Sequence, residues 1–238
     1  MPQDWKPAPL EFQVALISAI LGSAGRTVKP RALSLYYSAM RVISGRYRRH
    51  RLETPRGMDT RPIIDRVKAS VFDWLGSRLA LPGRMPPINV CDLFCGAGSQ
   101  GIEALSRGAT YCAFVETDRR ALACLRENLA RIGLDASSAV VDRPAEMVTI
   151  RPPDGRGFGL VLLDPPYRLS EDVSDESTMG RVTARLGEAI PVEPDALVLW
   201  RHAEGCVLPD GLPGGWRTIE RRAWGSTAVT MLRRDSLD

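Results

Sequence analysis

A glycine-rich turn between a predicted strand and a predicted helix most limits what this chain can fold into. Asn89–Phe94 is a short apolar run, and after the turn a helix is predicted over Gly101–Arg107. The glycines with GxGxxG spacing are Gly96, Gly98 and Gly101. This spacing at a strand-to-helix junction is typical of a βαβ unit that binds a nucleotide.

The remaining pattern extends that unit into an α/β fold. Further strands are predicted at Tyr111–Glu116, Ala139–Asp142, Leu160–Asp164 and Ala196–Trp200, and helices at Arg119–Ile132 and Met179–Glu188. Alternation of this kind predicts a Rossmann-like, mainly parallel sheet with helices on both faces. Trp216 to Arg233 predicts two strands joined near Gly225, an antiparallel hairpin that closes one edge.

The residues before this fold predict a separate basic segment. Arg66–Leu79 predicts a helix, because Val67, Val71 and Trp74 fall on one stripe with Leu75 and Leu79. Prolines at 82, 86 and 87 indicate a linker. We therefore divide the chain into three parts. Residues 1–39 are an extension expected to be poorly ordered or to reflect an upstream start, residues 40–82 are a basic segment with the first helix, and residues 88–235 are the α/β domain.

Positive charge is concentrated in the basic segment. The whole chain carries +4, whereas Arg41 to Lys68 contains nine Lys or Arg and three acids. A local excess of this kind is expected where a protein meets nucleic-acid phosphates, although a solvated surface is the simpler alternative. Arg46, Arg48, Arg49 and Arg51 are the predicted phosphate contacts.

The cysteines and the first apolar run argue against a disulfide-bonded, zinc-binding or membrane-spanning protein. Five cysteines without a CxxC pair favour reduced thiols in a cytoplasmic protein, and two histidines are too few for a zinc site, so no metal is expected. The apolar run Leu10–Leu21 is too short to cross a bilayer. Without an interface stripe, we expect a monomer.

The glycine turn is compatible with two kinds of cofactor. Glu116 ends the second strand twenty residues after Gly96 and suits ribose hydroxyls, as in nicotinamide enzymes. Asp92, four residues before Gly96, suits the cationic amino-acid tail of S-adenosylmethionine and would repel a pyrophosphate. The full set of predicted cofactor residues is Asp92, Phe94, Gly96, Gly98, Gly101, Glu116 and Ala145.

The tetrapeptide Asp164-Pro165-Pro166-Tyr167 indicates the chemistry. It follows the fourth predicted strand, at the sheet edge where α/β proteins bind ligands. An exocyclic base amine is a poor nucleophile, so a site must accept its two hydrogens and align its nitrogen with the methyl donor. Asp164 and the Pro165 carbonyl can accept those hydrogens, and Tyr167 can stack on the base. A plain strand end is the alternative interpretation.

Several segments together resemble the RsmD-type 16S ribosomal RNA guanine-N2 methyltransferases. The similar segments are Met40-Arg-Val-Ile-Ser-Gly, Asp65-Arg-Val, Phe72-Asp-Trp-Leu75, Gly101-Ile-Glu-Ala-Leu-Ser-Arg-Gly108 and Leu163-Asp-Pro-Pro-Tyr167. The resemblance implies a seven-stranded class I methyltransferase that uses S-adenosylmethionine on guanine 966 of 16S rRNA in the assembling small subunit. It also implies that Arg61 and Arg66 belong to a segment closing over cofactor and RNA.

The chain departs from the family pattern at two positions of the domain, and other functions stay open. Pro144 stands where an Asp or Asn is usual, and His202, expected just beyond the fifth strand, stands where an acid is common. The competing hypotheses are an adenine-N6 or protein-amide methyltransferase, a nicotinamide oxidoreductase, and a non-catalytic RNA-binding protein.

Overall fold

Seven strands and four helices make up the described part of the chain. The computed structural model describes residues 40–55, 65–79 and 81–234. The strands are β1 (Asn89–Leu93), β2 (Tyr111–Glu116), β3 (Ser138–Asp142), β4 (Phe158–Leu163), β5 (Val192–Ala203), β6 (Trp216–Trp224) and β7 (Thr227–Arg234). The helices are α1 (Asp65–Arg78), α2 (Ser99–Arg107), α3 (Arg119–Ile132) and α4 (Thr178–Arg185).

The strands form one mixed sheet in the order β3-β2-β1-β4-β5-β7-β6. Strands β1 to β5 pair in parallel, whereas β7 pairs antiparallel with both β5 and β6. This confirms the predicted class I methyltransferase architecture with its terminal hairpin. Every residue of β1 is buried, as expected for a central strand covered on both faces.

Apolar side chains cover both faces of the sheet. One buried cluster includes Val71 and Phe72 of α1 and Leu125 of α3, and the other includes Met179 of α4 with Trp200 of β5. The predicted apolar stripes therefore point into the core. Helix α3 begins and ends where its sequence predicts, because the Asp118 carboxylate caps its first turn and Gly133 adopts a left-handed φ of 76°.

The fifth strand is longer than predicted, and this corrects the position of His202. β5 continues to Ala203 because it pairs with β7 up to Thr227. His202 therefore lies inside the strand, fully buried, with Nε2 2.8 Å from the Thr230 hydroxyl. Burial lowers the pKa of this imidazole, which favours its neutral form. The predicted end of the fourth strand differs by one residue from the observed end, since β4 ends at Leu163 and Asp164 begins the turn.

The basic segment packs against α2. Residues 40–52 fold back on themselves as two arms, joined by an antiparallel bridge between Arg41 and Arg51. The Glu103 carboxylate of α2 accepts hydrogen bonds from the backbone N–H groups of Ile43, at 2.7 Å, and Ser44, at 3.0 Å. This carboxylate is therefore the main polar anchor of the first arm.

Two buried cations surround the same carboxylate. Arg107 donates from Nε to Glu103 at 2.8 Å, and Lys68 Nζ lies 3.8 Å from it. The side chains of Lys68 and Glu103 are fully buried. Lys68 also donates to the Arg41 carbonyl and to the Ser99 hydroxyl. Charges removed from water need such partners, so this cluster links the basic segment, α1 and α2.

Candidate active site

A cleft of about 360 Å³ opens beyond the carboxyl ends of β1 and β2. Three of the predicted cofactor residues line it: Phe94, Glu116 and Ala145. The rest of its wall consists of Val115, Thr117, Arg143, Pro144, Glu146, Leu169 and Thr178. The cleft thus combines apolar side chains with the carboxylates of Glu116 and Glu146, at the edge of the sheet where the fold places ligands.

The glycines allow the turn to lie close to the sheet. Gly98 has a left-handed φ of 82°, and a Cβ atom on Gly101 would lie 2.4 Å from the Phe114 ring. Residues with side chains are therefore excluded at Gly98 by conformation and at Gly101 by space. Asn128, buried in α3, donates to the Ala97 carbonyl at 3.1 Å and to the Glu53 carbonyl at 3.0 Å. This unpredicted contact ties the glycine turn to the basic segment at Glu53.

Acidic side chains already bind the backbone N–H groups of the turn. Glu116 accepts from Gly96 N at 2.9 Å, and Asp92 accepts from Gly101 N at 2.8 Å. A dinucleotide pyrophosphate would need such N–H groups and would be repelled by the two carboxylates. The geometry therefore disfavours the nicotinamide hypothesis and suits a ligand that carries positive charge and hydroxyl groups.

Asp92 lies beneath the turn and is fully buried. Its Oδ1 has no hydrogen-bond partner among the described residues. The pKa of this carboxyl is raised to about 8, mainly by burial and to a smaller extent by the nearby charges of Asp164 and Glu116, while the hydrogen bond from Gly101 opposes the shift. An unpartnered acidic oxygen beside the glycine turn fits a cationic ligand such as S-adenosylmethionine, because a nearby positive charge would stabilise the ionised carboxylate.

The Asp164–Tyr167 turn stands at the carboxyl end of β4, next to β1. The Asp164 backbone N–H donates to the Leu93 carbonyl at 3.2 Å. Pro165 is buried and Pro166 is exposed, and the latter precedes a short 3-10 helix that starts at Tyr167. The Tyr167 hydroxyl lies 2.7 Å from the Thr227 hydroxyl of β7, which fixes the direction of its ring. Of the four predicted catalytic residues, Asp164 thus lies beside the glycine turn, whereas the Tyr167 side chain points toward β7.

Two side chains that the sequence analysis missed hold the Asp164 carboxylate. Arg201 of β5 donates from Nε to Oδ1 at 2.5 Å, and Gln100 of α2 donates to Oδ2 at 2.9 Å. The Arg201 guanidinium also lies 5.6 Å from the centroid of the Tyr167 ring. Gln100 lies inside the glycine motif, so the sequence indicated that it is near the site. The contact of Arg201 with Asp164 follows only from the pairing of β4 with β5.

The predicted phosphate contacts lie at the other end of α2. We call residues 45–51 the basic turn; its arginines Arg46, Arg48, Arg49 and Arg51 are all exposed. It is anchored at the end of α2, where Arg46 N donates to the Ser106 carbonyl at 2.7 Å and Tyr47 N to the Ser106 hydroxyl. From Ser99 to Ser106 the helix rises about 10 Å, so the part of the basic turn at Arg46 and Tyr47 lies toward the amino edge of the sheet, away from Asp164.

The two other predicted RNA contacts differ in placement. Arg66 is exposed in the first turn of α1, near the start of α2, because its neighbour Lys68 contacts Ser99. Arg61 and the extension 1–39 lie outside the described residues. Within 40–55, 65–79 and 81–234 no group of His, Cys, Asp or Glu side chains is arranged to hold a metal ion. In the same residues, no helix is long and apolar enough to span a membrane.

Comparison with known proteins agrees with this geometry. A family model described as "Conserved hypothetical protein 95" matches residues 40–233. The Bacillus subtilis protein YlbH, provisionally named an rRNA methyltransferase, is 31% identical over 196 residues, covering 82% of this chain and 99% of the relative. Ribosomal RNA small subunit methyltransferase D of Haemophilus influenzae is 33% identical over 135 residues, covering 55% of this chain and 65% of the relative.

Solved structures support the same fold. A provisionally named methyltransferase from Escherichia coli, yhhF, superposes with a TM-score of 0.65 at 24% identity, covering 83% of this chain and 98% of the other. A hypothetical protein from Thermus thermophilus superposes with a TM-score of 0.59 at 28% identity, covering 82% and 99%. The family model spans the whole described fold, and the chain therefore belongs to the "Conserved hypothetical protein 95" family of RsmD/YlbH-type methyltransferases.

Proposed function

We propose that this protein uses S-adenosylmethionine to methylate the exocyclic N2 amine of a guanine in small-subunit ribosomal RNA, guanine 966 of 16S rRNA. The observation that carries the proposal is the Asp164–Tyr167 turn, which stands at the end of β4 beside a glycine turn whose N–H groups are held by carboxylates. The relatives named ribosomal RNA small subunit methyltransferase D supply the choice of RNA.

The residues of the cleft support a place for the cofactor. Glu116 is assigned to the ribose hydroxyls, and Ala145 with Leu169 to the adenine. Asp92 is assigned to the cationic amino-acid tail, as its unpartnered Oδ1 supports. When bound, S-adenosylmethionine supplies an activated methyl group and a positive charge. Phe94 and the three glycines shape the turn around it.

The chain's own residues then prepare the amine. Asp164 and the Pro165 carbonyl accept the two amine hydrogens, and Tyr167 stacks on a base that has left its helix. Methyl transfer converts the amine to a secondary amine and releases one proton, for which the Asp164 carboxylate is the assigned acceptor. Alignment of the nitrogen with the methyl group is the main contribution of the protein, because the electrophile is already activated.

RNA binding is assigned to the basic segment. Arginines 46, 48, 49 and 51 of the basic turn meet phosphates without choosing a sequence. Arg66, in the first turn of α1, is assigned to the part of the RNA nearer the catalytic end, and Arg61 is assigned to RNA by the family resemblance alone. Since the basic turn lies at the opposite edge of the sheet, the RNA must extend along α2 to reach both ends. Such a substrate exists in a cytoplasmic, assembling small subunit, on which the protein acts as a monomer.

Transfer of labelled methyl to small subunits that lack the modification tests the function. The wild type is expected to produce N2-methylguanosine in digested RNA, and Asp164→Ala to produce none. Asp154→Ala is the matched control, because Asp154 is an exposed acid before the amino end of β4 and pairs with Arg156. Label in N6-methyladenosine or in ribosomal protein would contradict the assignment to guanine.

A further inference from the structure

The Asp164 carboxylate is held on both oxygens by side chains from two different elements. Arg201 donates to Oδ1 at 2.5 Å and Gln100 donates to Oδ2 at 2.9 Å. The ion pair is largely shielded from water, with side-chain exposures of 12% for Arg201 and 16% for Asp164. Two charge-assisted hydrogen bonds from opposite sides fix the plane of a carboxylate and the direction of its remaining lone pairs.

The sheet itself determines where Arg201 stands. Leu163 at the end of β4 pairs with Trp200 of β5, so the next residues, Asp164 and Arg201, lie side by side. On its other side, Arg201 pairs with Val229 of β7. Because Arg201 pairs with β7 and directly follows Trp200, which pairs with β4, its backbone is fixed in the sheet and gives the guanidinium a rigid base. A side chain that is held in this way can keep its hydrogen-bond partner in one defined position.

Arg201 also contacts the second member of the proposed base site. Its guanidinium lies 5.6 Å from the centroid of the Tyr167 ring, at the distance of a cation–π contact. The Tyr167 hydroxyl is held at the same time by Thr227, at 2.7 Å. One guanidinium therefore touches both the acceptor assigned to the amine and the ring assigned to stacking.

We propose that Arg201 is a positioning residue for methyl transfer, which fixes the Asp164 carboxylate and the Tyr167 ring in one arrangement for the target base. The proposal rests on the proposed function, since it presumes that these two groups receive the base. It assigns Arg201 no contact with the reacting atoms. Arginine suits this task because it stays charged and its planar group can donate and stack at once.

The consequence is a loss of turnover without a matching loss of binding. In Arg201→Met, the carboxylate loses one of its two fixed donors and the ring loses its cation. We expect kcat to fall by about 10- to 100-fold, the range associated with small misplacements of reacting groups. KM for RNA and for S-adenosylmethionine should stay within about twofold, because the lost contacts act on alignment. Arg201→Lys, which keeps the charge, should restore part of kcat.

Steady-state kinetics on the wild type, Arg201→Met and Arg201→Lys test this, with Arg156→Met as the matched control. Arg156 also pairs with an aspartate, Asp154, but at an exposed site before β4. Equal thermal unfolding of Arg201→Lys and the wild type separates positioning from folding. A kcat within twofold of the wild type in Arg201→Met, or no recovery in a folded Arg201→Lys, would overturn the proposal.

The two proposals fail in different ways. If the wild type transfers no methyl group to RNA, the proposed function fails regardless of Arg201. Crystal structures of the wild type and of Arg201→Met then decide the positioning separately. An Asp164 carboxylate and a Tyr167 ring that keep their places without the guanidinium would refute it, and their displacement would support it.

Discussion

Replacement of Glu103 by glutamine tests whether one carboxylate holds the basic segment on α2. Glu103→Gln keeps the shape of the side chain and removes its charge. In the wild type the carboxylate accepts two backbone N–H groups and faces Lys68 and Arg107, both buried. A glutamine side chain has one acceptor oxygen, whereas the two carboxylate oxygens of Glu103 serve several donors. The NH2 group of glutamine would also face donor groups, with which it cannot form hydrogen bonds.

The expected loss follows from the burial of these charges. Removing one partner of a buried ion pair costs about 3–5 kcal/mol, because the remaining charge keeps its desolvation penalty. For Lys68 that penalty is already large, since burial lowers the pKa of its ammonium group against the opposing charge of Glu103. For a domain of this size, each kcal/mol shifts Tm by about 2–4 °C, so Tm should fall by about 6–20 °C.

Urea unfolding of Glu103→Gln, Lys68→Met and the double variant measures the effect. Because the double variant removes both charges, it should be less destabilised than the two single losses added together. Glu127→Gln is the control, as Glu127 is exposed on α3. A loss below about 1 kcal/mol in Glu103→Gln at an unchanged m-value would refute the anchoring role, because that is close to the range of surface substitutions.

Three further predictions follow from particular contacts. The carboxyl of Asp92 has a pKa of about 8 in the folded protein and 3.8 ordinarily, so between these pH values the folded state keeps a proton that the unfolded state releases. The free energy of unfolding should therefore fall as the pH rises from 4 to 8. Urea titrations of Asp92→Asn should lack the part of this fall that comes from Asp92. In Gly45→Ala, the new Cβ would lie 1.8 Å from the Ser106 carbonyl at a φ of +82°, so calorimetry should show a loss of at least about 1–3 kcal/mol. Changing three arginines of the basic turn to glutamine should reduce the steepness of the plot of log binding constant for RNA against log salt concentration, by about 0.7–0.9 per lost phosphate contact, and should leave cofactor binding unchanged. An unaltered slope would mean that the turn contacts no phosphate.

The sequence by itself determined the order of the elements and the two motifs of the site. Strand and helix periodicity, glycines and prolines act over a few neighbouring residues, so β2 and α3 were predicted to the residue. The position of the Asp164–Tyr167 turn at a strand end followed in the same way. The resemblance to a known family, carried by those segments, was confirmed by the family match.

Only the tertiary structure decided which distant side chains meet. Arg201 and Asp164 are separated by 37 positions, and Glu103 and Ile43 by 60. Such contacts depend on the register of β4 with β5 and on the packing of the basic segment against α2, neither of which is encoded in any short stretch. The same reason explains why the sequence places His202 outside β5, and why it does not show that the basic turn is anchored at the far end of α2 from the site.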